Sequence, residues 1–267
     1  MPLFSIVVEG SHDASFLGQL LKKRGFKGLN KLSQVPAEWR VLFPRQFPLD
    51  GENLDRIMRF PEIFVNDDVS IGLTTAGSDS RLVSTLRLGL DAIGSDQLAG
   101  VALFIDIVDN DADERFKSVC KRLTAMNDAA ATEGQPGYPI VIPAAAATMT
   151  AGPPAVGVYM FPDNASQGCL EDLLLECAHA NHPHLAAASV TLVQDVDTVC
   201  PAGQADLKAM RSGMGRKKAA VGTIANLLRP GVSVAASLAQ TKWLADQALN
   251  LAMVQQADDF LGELLAS

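Results

Sequence analysis

The chain has 267 residues, of which 48% are hydrophobic, 19% charged and 6% aromatic. That composition can bury a sizeable core and excludes a disordered chain. A formal net charge of −8 excludes a protein that coats nucleic acid by bulk charge. It leaves room for an enzyme that meets a polyanion through metal ions and a local basic patch.

Residues 3–8 (LFSIVV) form a short β-branched and aromatic run and read as a buried strand. Ser11 and Asp13 offer helix N-capping. Phe16, Leu17, Leu20 and Leu21 then recur at helical spacing until Gly25 and Gly28. Residues 30–66 read as irregular, with prolines at 36, 44, 48 and 61. Residues 69–75 (VSIGLTT) read as a second strand. GSDS (77–80) opens a helix carrying Leu82, Val83, Leu86 and Leu90, as an ordinary cap or as a phosphate nest. The strongest strand signal is GVALFIDIV (100–108), which feeds DNDADERF and a helix with Phe116, Val119, Cys120 and Leu123. AVGVYMF (155–161) is the next strand. A loop from Pro162 to Gly168 leads into a helix over 169–178. Within 186–200 the expectation is a strand near 190–193. Helices are expected at about 204–212, 216–228 and 240–265.

Strands alternating with helices predict an α/β fold, a mostly parallel sheet with helices on both faces. It spans residues 1–200 with an insertion at about 25–68. Residues 201–267 form an extra C-terminal helical region packed on it. The apolar stretch 139–161 is broken by Gly152, Pro153, Pro154 and Gly157 and cannot be a membrane helix. MPLFSIVVEG lacks the basic start of a signal peptide, and the four cysteines contain no C-x-x-C pair. Both observations point to a reducing cytosol. Trp39 and Trp243 read as core residues. CAHANHPH (177–184) mixes zinc-binding residue types at a spacing that matches no standard finger.

Three strands end on acids: Glu9, then Asp106 with Asp109 and Asp111, then Asp163. A parallel sheet brings such ends to one edge, where α/β folds bind ligands. Clustered carboxylates raise each other's pKa unless a divalent cation sits between them. Each piece also has an ordinary reading. Asp111 or Asp113 can cap the helix that follows, and Glu171 and Asp172 suit a helix first turn.

The ordered combination of VVEGSHDASFL (7–17), LFIDIVDNDADERF (103–116), MFPDNASQGCLEDLLL (160–175) and, more loosely, KKAAVGTIANLLRPG (217–231) resembles the TOPRIM domain. It looks most like OLD-type TOPRIM nucleases and small stand-alone TOPRIM-like proteins of bacteria. The resemblance implies a TOPRIM-like sheet and hydrolysis of phosphodiester bonds with Mg²⁺ or Mn²⁺. It implies Glu9 as metal ligand or general base and Asp13 as a second acid. Asp109 and Asp111 would be the Asp-x-Asp ligands, with Asp106 a rival for that register. Glu171, with Asp163 or Asp172, would complete a second metal site. Lys218 or Lys217 would stabilise charge on the phosphate. Nucleic acid or another phosphate ester is the implied substrate. No G-x-x-x-x-G-K-[ST] loop occurs, so the ATPase of OLD proteins would have to come from a separate partner. The apolar C-terminal helix leaves a homodimer open. The alternative is a catalytically inactive metal- or nucleotide-binding or partner-interaction module. Haloacid-dehalogenase-type enzymes also place Asp-x-Asp after a strand. Here Asp113 stands where they want Thr or Val, and Glu9-Gly10 would be unexplained.

Overall fold

The computed structural model describes residues 1–44, 60–108, 111–132 and 137–267, and its central strand is the first apolar run. β1 (Leu3–Val8) is buried at every position. It pairs in parallel with β4 (Ser70–Thr75) on one side and β5 (Leu98–Asp106) on the other. A strand flanked by strands and covered on both faces wants a continuous apolar run, not an alternating one. β2 (Lys27–Gly28) and β3 (Glu62–Val65) add an antiparallel edge. With β6 (Ala155–Phe161) the order is β2-β3-β4-β1-β5-β6. β3 falls in the stretch read as irregular, and β2 just before it. At two and four residues they are too short to show a period, so pairing with β4 rather than pattern makes them strands.

The helices are α1 (Ser11–Lys23), α2 (Leu82–Ile93), α3 (Ala112–Thr132), α4 (Leu170–Asn181), α5 (Pro183–Val199), α6 (Gly215–Leu228), α7 (Val234–Gln240) and α8 (Ala252–Ala266). The class is the expected α/β one, with extra C-terminal helices. The strand expected near 190–193 is instead the middle of α5. That helix buries Ala186, Ser189 and Val193. The spacing is helical, but two of the three are small, so the period is faint beside the β-branched Val190, Thr191 and Val193. The stronger clue is Pro183 in the first turn. The helix expected over 204–212 reduces to a 3₁₀ turn, Ala205–Leu207. A 3₁₀ segment, Asp246–Asn250, precedes α8. Among the described residues no helix is long and apolar enough to cross a membrane.

The chain divides into two compact units. The first comprises Met1–Ile105, Phe116–Tyr159 and Phe260–Ser267. In its core Phe104, Tyr159 and Phe260 form a ring triplet with centroids 5.3–5.6 Å apart. Trp39 is fully buried, and its Nε1 donates to Ser70 Oγ at 2.7 Å. The helix entry at GSDS is held by Arg122 of α3, whose guanidinium donates to both Asp79 carboxylate oxygens and to the Asp79 carbonyl.

The second unit comprises Asp106–Arg115 and Met160–Asp259. α4, α5 and α6 pack on one another there, burying Leu173, Leu174, Val221 and Ile224. Trp243 is buried too, its Nε1 donating to Ser237 Oγ at 3.1 Å. Arg211 closes the C-terminal end of α5. Its Nε donates to Asp197 Oδ1 at 2.7 Å, and its two terminal nitrogens donate to the carbonyls of Cys200, Pro201 and Ala202 at 2.9–3.0 Å. Nη2 also donates to the Asp197 carbonyl at 3.4 Å, which the helix end leaves without an intrahelical donor because residue 201 is proline. Arg216 donates to the other Asp197 oxygen. Hydrogen bonds from Arg211 and Arg216 hold the Asp197 carboxyl below its ordinary range. The pair therefore contributes stability above that range and loses it as pH falls through the lowered value. Arg211→Ala is expected to lower Tm by roughly 2–4 °C, more than Arg216→Ala, in thermal melts at pH 7. Equal shifts in the two variants would reject the capping role.

Candidate metal centre

β5 stops at Asp106, two residues before the end of the apolar run. Beyond it Ile107 makes an isolated antiparallel bridge to Gly168. Gly168 N donates to the Ile107 carbonyl at 2.7 Å, and Ile107 N donates to the Phe161 carbonyl at 3.2 Å. This bridge ties the loop after β6 to the end of β5 and brings the start of α4 to Asp106. Leu170 N, a donor that the helix start leaves unpaired, donates to Asp106 Oδ1 at 3.0 Å.

Cys169 is the N-cap of α4 and Asp172 sits at its third position. Asp172 Oδ2 accepts the Cys169 backbone N–H at 2.9 Å, with the Cys169 thiol 3.6 Å away. Its Oδ1 pairs with Lys217 Nζ at 2.6 Å. A Cβ on Gly168 would lie 2.6 Å from Asp172 Oδ2, so a side chain there would have to displace that carboxylate. The outcome is a cluster in which the donor atoms of Asp106, Cys169 and Glu171 all lie within 4.8 Å of one another. Cys169 is fully buried and Glu171 is 4% exposed. Burial, reinforced by the charges of Glu171 and Asp106, pushes the Cys169 thiol far above its ordinary range, so it carries its proton. Two carboxylates this close raise each other's pKa, and a cation between them relieves that repulsion. Oxygen donors from two acids fit Mg²⁺ or Mn²⁺.

The remaining sequence candidates have other surroundings. Asp163 turns on itself: its Oδ1 accepts from Ala165 N and Ser166 N, its Oδ2 from Ser166 Oγ. Burial would raise its pKa, but these bonds outweigh it and lower the value. Asp111 Oδ1 accepts Glu114 N at 2.7 Å and so caps α3, the ordinary reading of that acid. Asp109 lies outside the described residues. Arg115 Nε donates to the Asp106 carbonyl at 2.8 Å. Lys217 is engaged with Asp172, whereas Lys218 is exposed. In the first unit, Glu9 follows β1 and its carbonyl accepts Gly77 N at 2.7 Å. Asp13 is buried, with Oδ2 accepting Gly10 N at 2.6 Å. That is the arrangement Asp172 makes at the head of α4. Burial holds the Cys177 thiol at about 12. Among the described residues, CAHANHPH does not gather three donors within ligating distance.

Sequence reasoning missed Cys169. The available signal was its position: a cysteine where Ser, Thr, Asp or Asn normally caps, two residues before a glutamate and three before an aspartate.

The profile of a family described as "Protein of unknown function (DUF3226)" matches residues 4–256. The chain belongs to the DUF3226 family. No curated protein matches this DUF3226 chain. Among solved structures, a hypothetical protein, PH0156, from Pyrococcus horikoshii OT3 is similar at a TM-score of 0.55 and 17% identity, covering 100% of this chain and 95% of that one. At that identity the likeness speaks to the fold alone.

Proposed function

We propose that Asp106 and Glu171 hold a divalent cation, Mg²⁺ or Mn²⁺, and that this DUF3226 protein hydrolyses phosphodiester bonds, as its resemblance to TOPRIM nucleases implies. The observation that carries the reading is the approach of the Asp106, Cys169 and Glu171 donors to within 4.8 Å around a buried glutamate. When bound, such an ion supplies a water of lowered pKa and neutralises charge on a phosphoryl oxygen. The chain's own residues prepare the place. The Leu170 N–H fixes one Asp106 oxygen, and the Asp172–Lys217 pair anchors the first turn of α4. Lys218, the residue after Lys217, is exposed, and the resemblance assigns it to the phosphate. The substrate class is a nucleic acid or another phosphate ester, met in a reducing cytosol that suits four free cysteines.

The test incubates the purified protein with Mn²⁺ and plasmid, single-stranded DNA and tRNA, beside Asp106→Asn, Glu171→Gln and Glu9→Gln. The expected result is cleavage of at least one substrate by the wild type, slowed by about 10²–10³-fold in Asp106→Asn and Glu171→Gln. Loss in Glu9→Gln as well would assign that residue the role implied by the resemblance. Cleavage that survives the first two substitutions, or no cleavage at all, rejects the hydrolase. A second reading, a metal-binding module without turnover, is favoured by the Lys217–Asp172 ion pair. That pair commits the lysine adjoining the acids to a structural partner.

A further inference from the structure

The first unit contains a cleft of about 480 Å³ that uses none of the metal-centre residues. It lies over β1 and β4, walled by α2 and by the 3₁₀ segment Ala37–Leu42. Its volume is within the range of small-molecule sites, roughly 300–1,000 Å³. Val7 and Leu88 give it an apolar body, and Leu88 is 68% exposed. Ser5, Thr75 and Thr85 add hydroxyls. Ser5 is 5% exposed, and its hydroxyl has no hydrogen-bond partner among the described residues. The Ser5 hydroxyl meets the solvent of the cleft, and a ligand atom can take that solvent's place.

The charge of the cleft is one-sided. Arg81 is its one charged lining residue among those described, and no acid there pairs with the guanidinium. Arg81 also immediately precedes α2, where the positive end of the helix dipole adds to its charge. The geometry points to a binding site for a small organic anion, an apolar body carrying one carboxylate, sulfonate or phosphate. The anionic group pairs with Arg81, the body lies on Val7 and Leu88, and an acceptor atom receives a hydrogen bond from the Ser5 hydroxyl.

The probe is 8-anilinonaphthalene-1-sulfonate, an aromatic anion whose fluorescence rises in apolar surroundings. N-phenyl-1-naphthylamine, a similar body without the sulfonate, is the neutral control. Both are titrated into the wild type, Arg81→Gln and Gly89→Leu. At Gly89 an added Cβ would meet only Ser5 Oγ, at 3.9 Å. A leucine there enters the cleft, and leucine is a better helix former than glycine, so the variant keeps its fold. The expected result is one saturable wild-type site for the sulfonate. Arg81→Gln weakens it about tenfold, and Gly89→Leu abolishes it. The neutral probe binds the wild type and Arg81→Gln equally and is lost in Gly89→Leu. Equal sulfonate affinity in all three proteins, or no saturable site in the wild type, overturns the proposal.

Discussion

Gly72→Ala is expected to cost about 3 kcal/mol or more of unfolding free energy, although it adds one methyl group. The reason is the indole of Trp39. A Cβ on Gly72 would lie 2.4 Å from Cζ3, 2.8 Å from Cη2 and 2.9 Å from Cε3 of that ring. Gly72 stands in the interior of the sheet, opposite Ser5 of β1 and Ile63 of β3, so its backbone has no room to retreat. The ring cannot retreat cheaply either, because it is fully buried and tethered to Ser70 Oγ at 2.7 Å. The methyl group must expel the indole or open the β1–β4 pair. Trp39→Ala alone should cost about 3–5 kcal/mol. The double variant should cost no more than Trp39→Ala, because the methyl then occupies space the indole has left. Urea unfolding of the three proteins measures this. A Gly72→Ala protein within about 0.5 kcal/mol of wild type would mean that the indole has another seat.

The same pair shows where the fold was legible in the sequence and where it was not. β1, β5 and β6 are continuous apolar runs, and burial on both faces leaves that mark. Trp39 lay in a proline-rich stretch without period, so its burial was a reasonable expectation but its partner was not legible. Nothing in VSIGLTT says that its glycine receives a tryptophan from more than thirty residues away. α5 was hidden for a related reason. Its contact face is made of Ala186, Ser189 and Val193, small enough for close helix packing and too small to stand out.

The candidate centre was legible as a set of acids, with Asp106 and the Asp109–Asp111 pair rivals for its register. Extending the strand to residue 108 favours Asp109 and Asp111. The strand stops at Asp106 because Ile107 turns to bridge Gly168, a pairing across some sixty residues that local pattern does not carry. Asp13 and Asp172 illustrate a second limit. Each lies three residues after a helix N-cap and accepts its backbone N–H, at 2.6 and 2.9 Å. An acid at that spacing satisfies a capping requirement whether or not a metal is near, so spacing alone does not separate the two uses. Lys217 and Lys218 are neighbours in sequence, yet one is bound to Asp172 and the other is exposed. Which of the two faces the acid depends on how α6 packs beside α4.

Saturating Mn²⁺ is expected to raise the wild-type Tm by roughly 5–10 °C and to leave Asp106→Asn and Glu171→Gln unmoved. An ion that binds only the folded chain stabilises it by about 2.7 kcal/mol at a hundred times its Kd. For a protein of this size each kcal/mol is worth roughly 2–4 °C. The unfolded chain does not assemble the ligands. Asp106 is more than sixty residues from Cys169 and Glu171, and the Leu170 N–H and the Ile107–Gly168 bridge that bring them together exist only in the fold. Metal-free, Glu171→Gln should melt at or above the wild type, since it removes one of two close carboxylates and keeps the shape. A merely structural acid would behave in the opposite way, losing stability on substitution and leaving the Mn²⁺ response intact. The melt also separates binding from turnover. A shift abolished by both substitutions, in a protein that cleaves none of the three nucleic acids, retains the metal centre and selects the binding module over the nuclease. An equal shift in all three proteins puts the ion elsewhere and removes the physical basis of both readings.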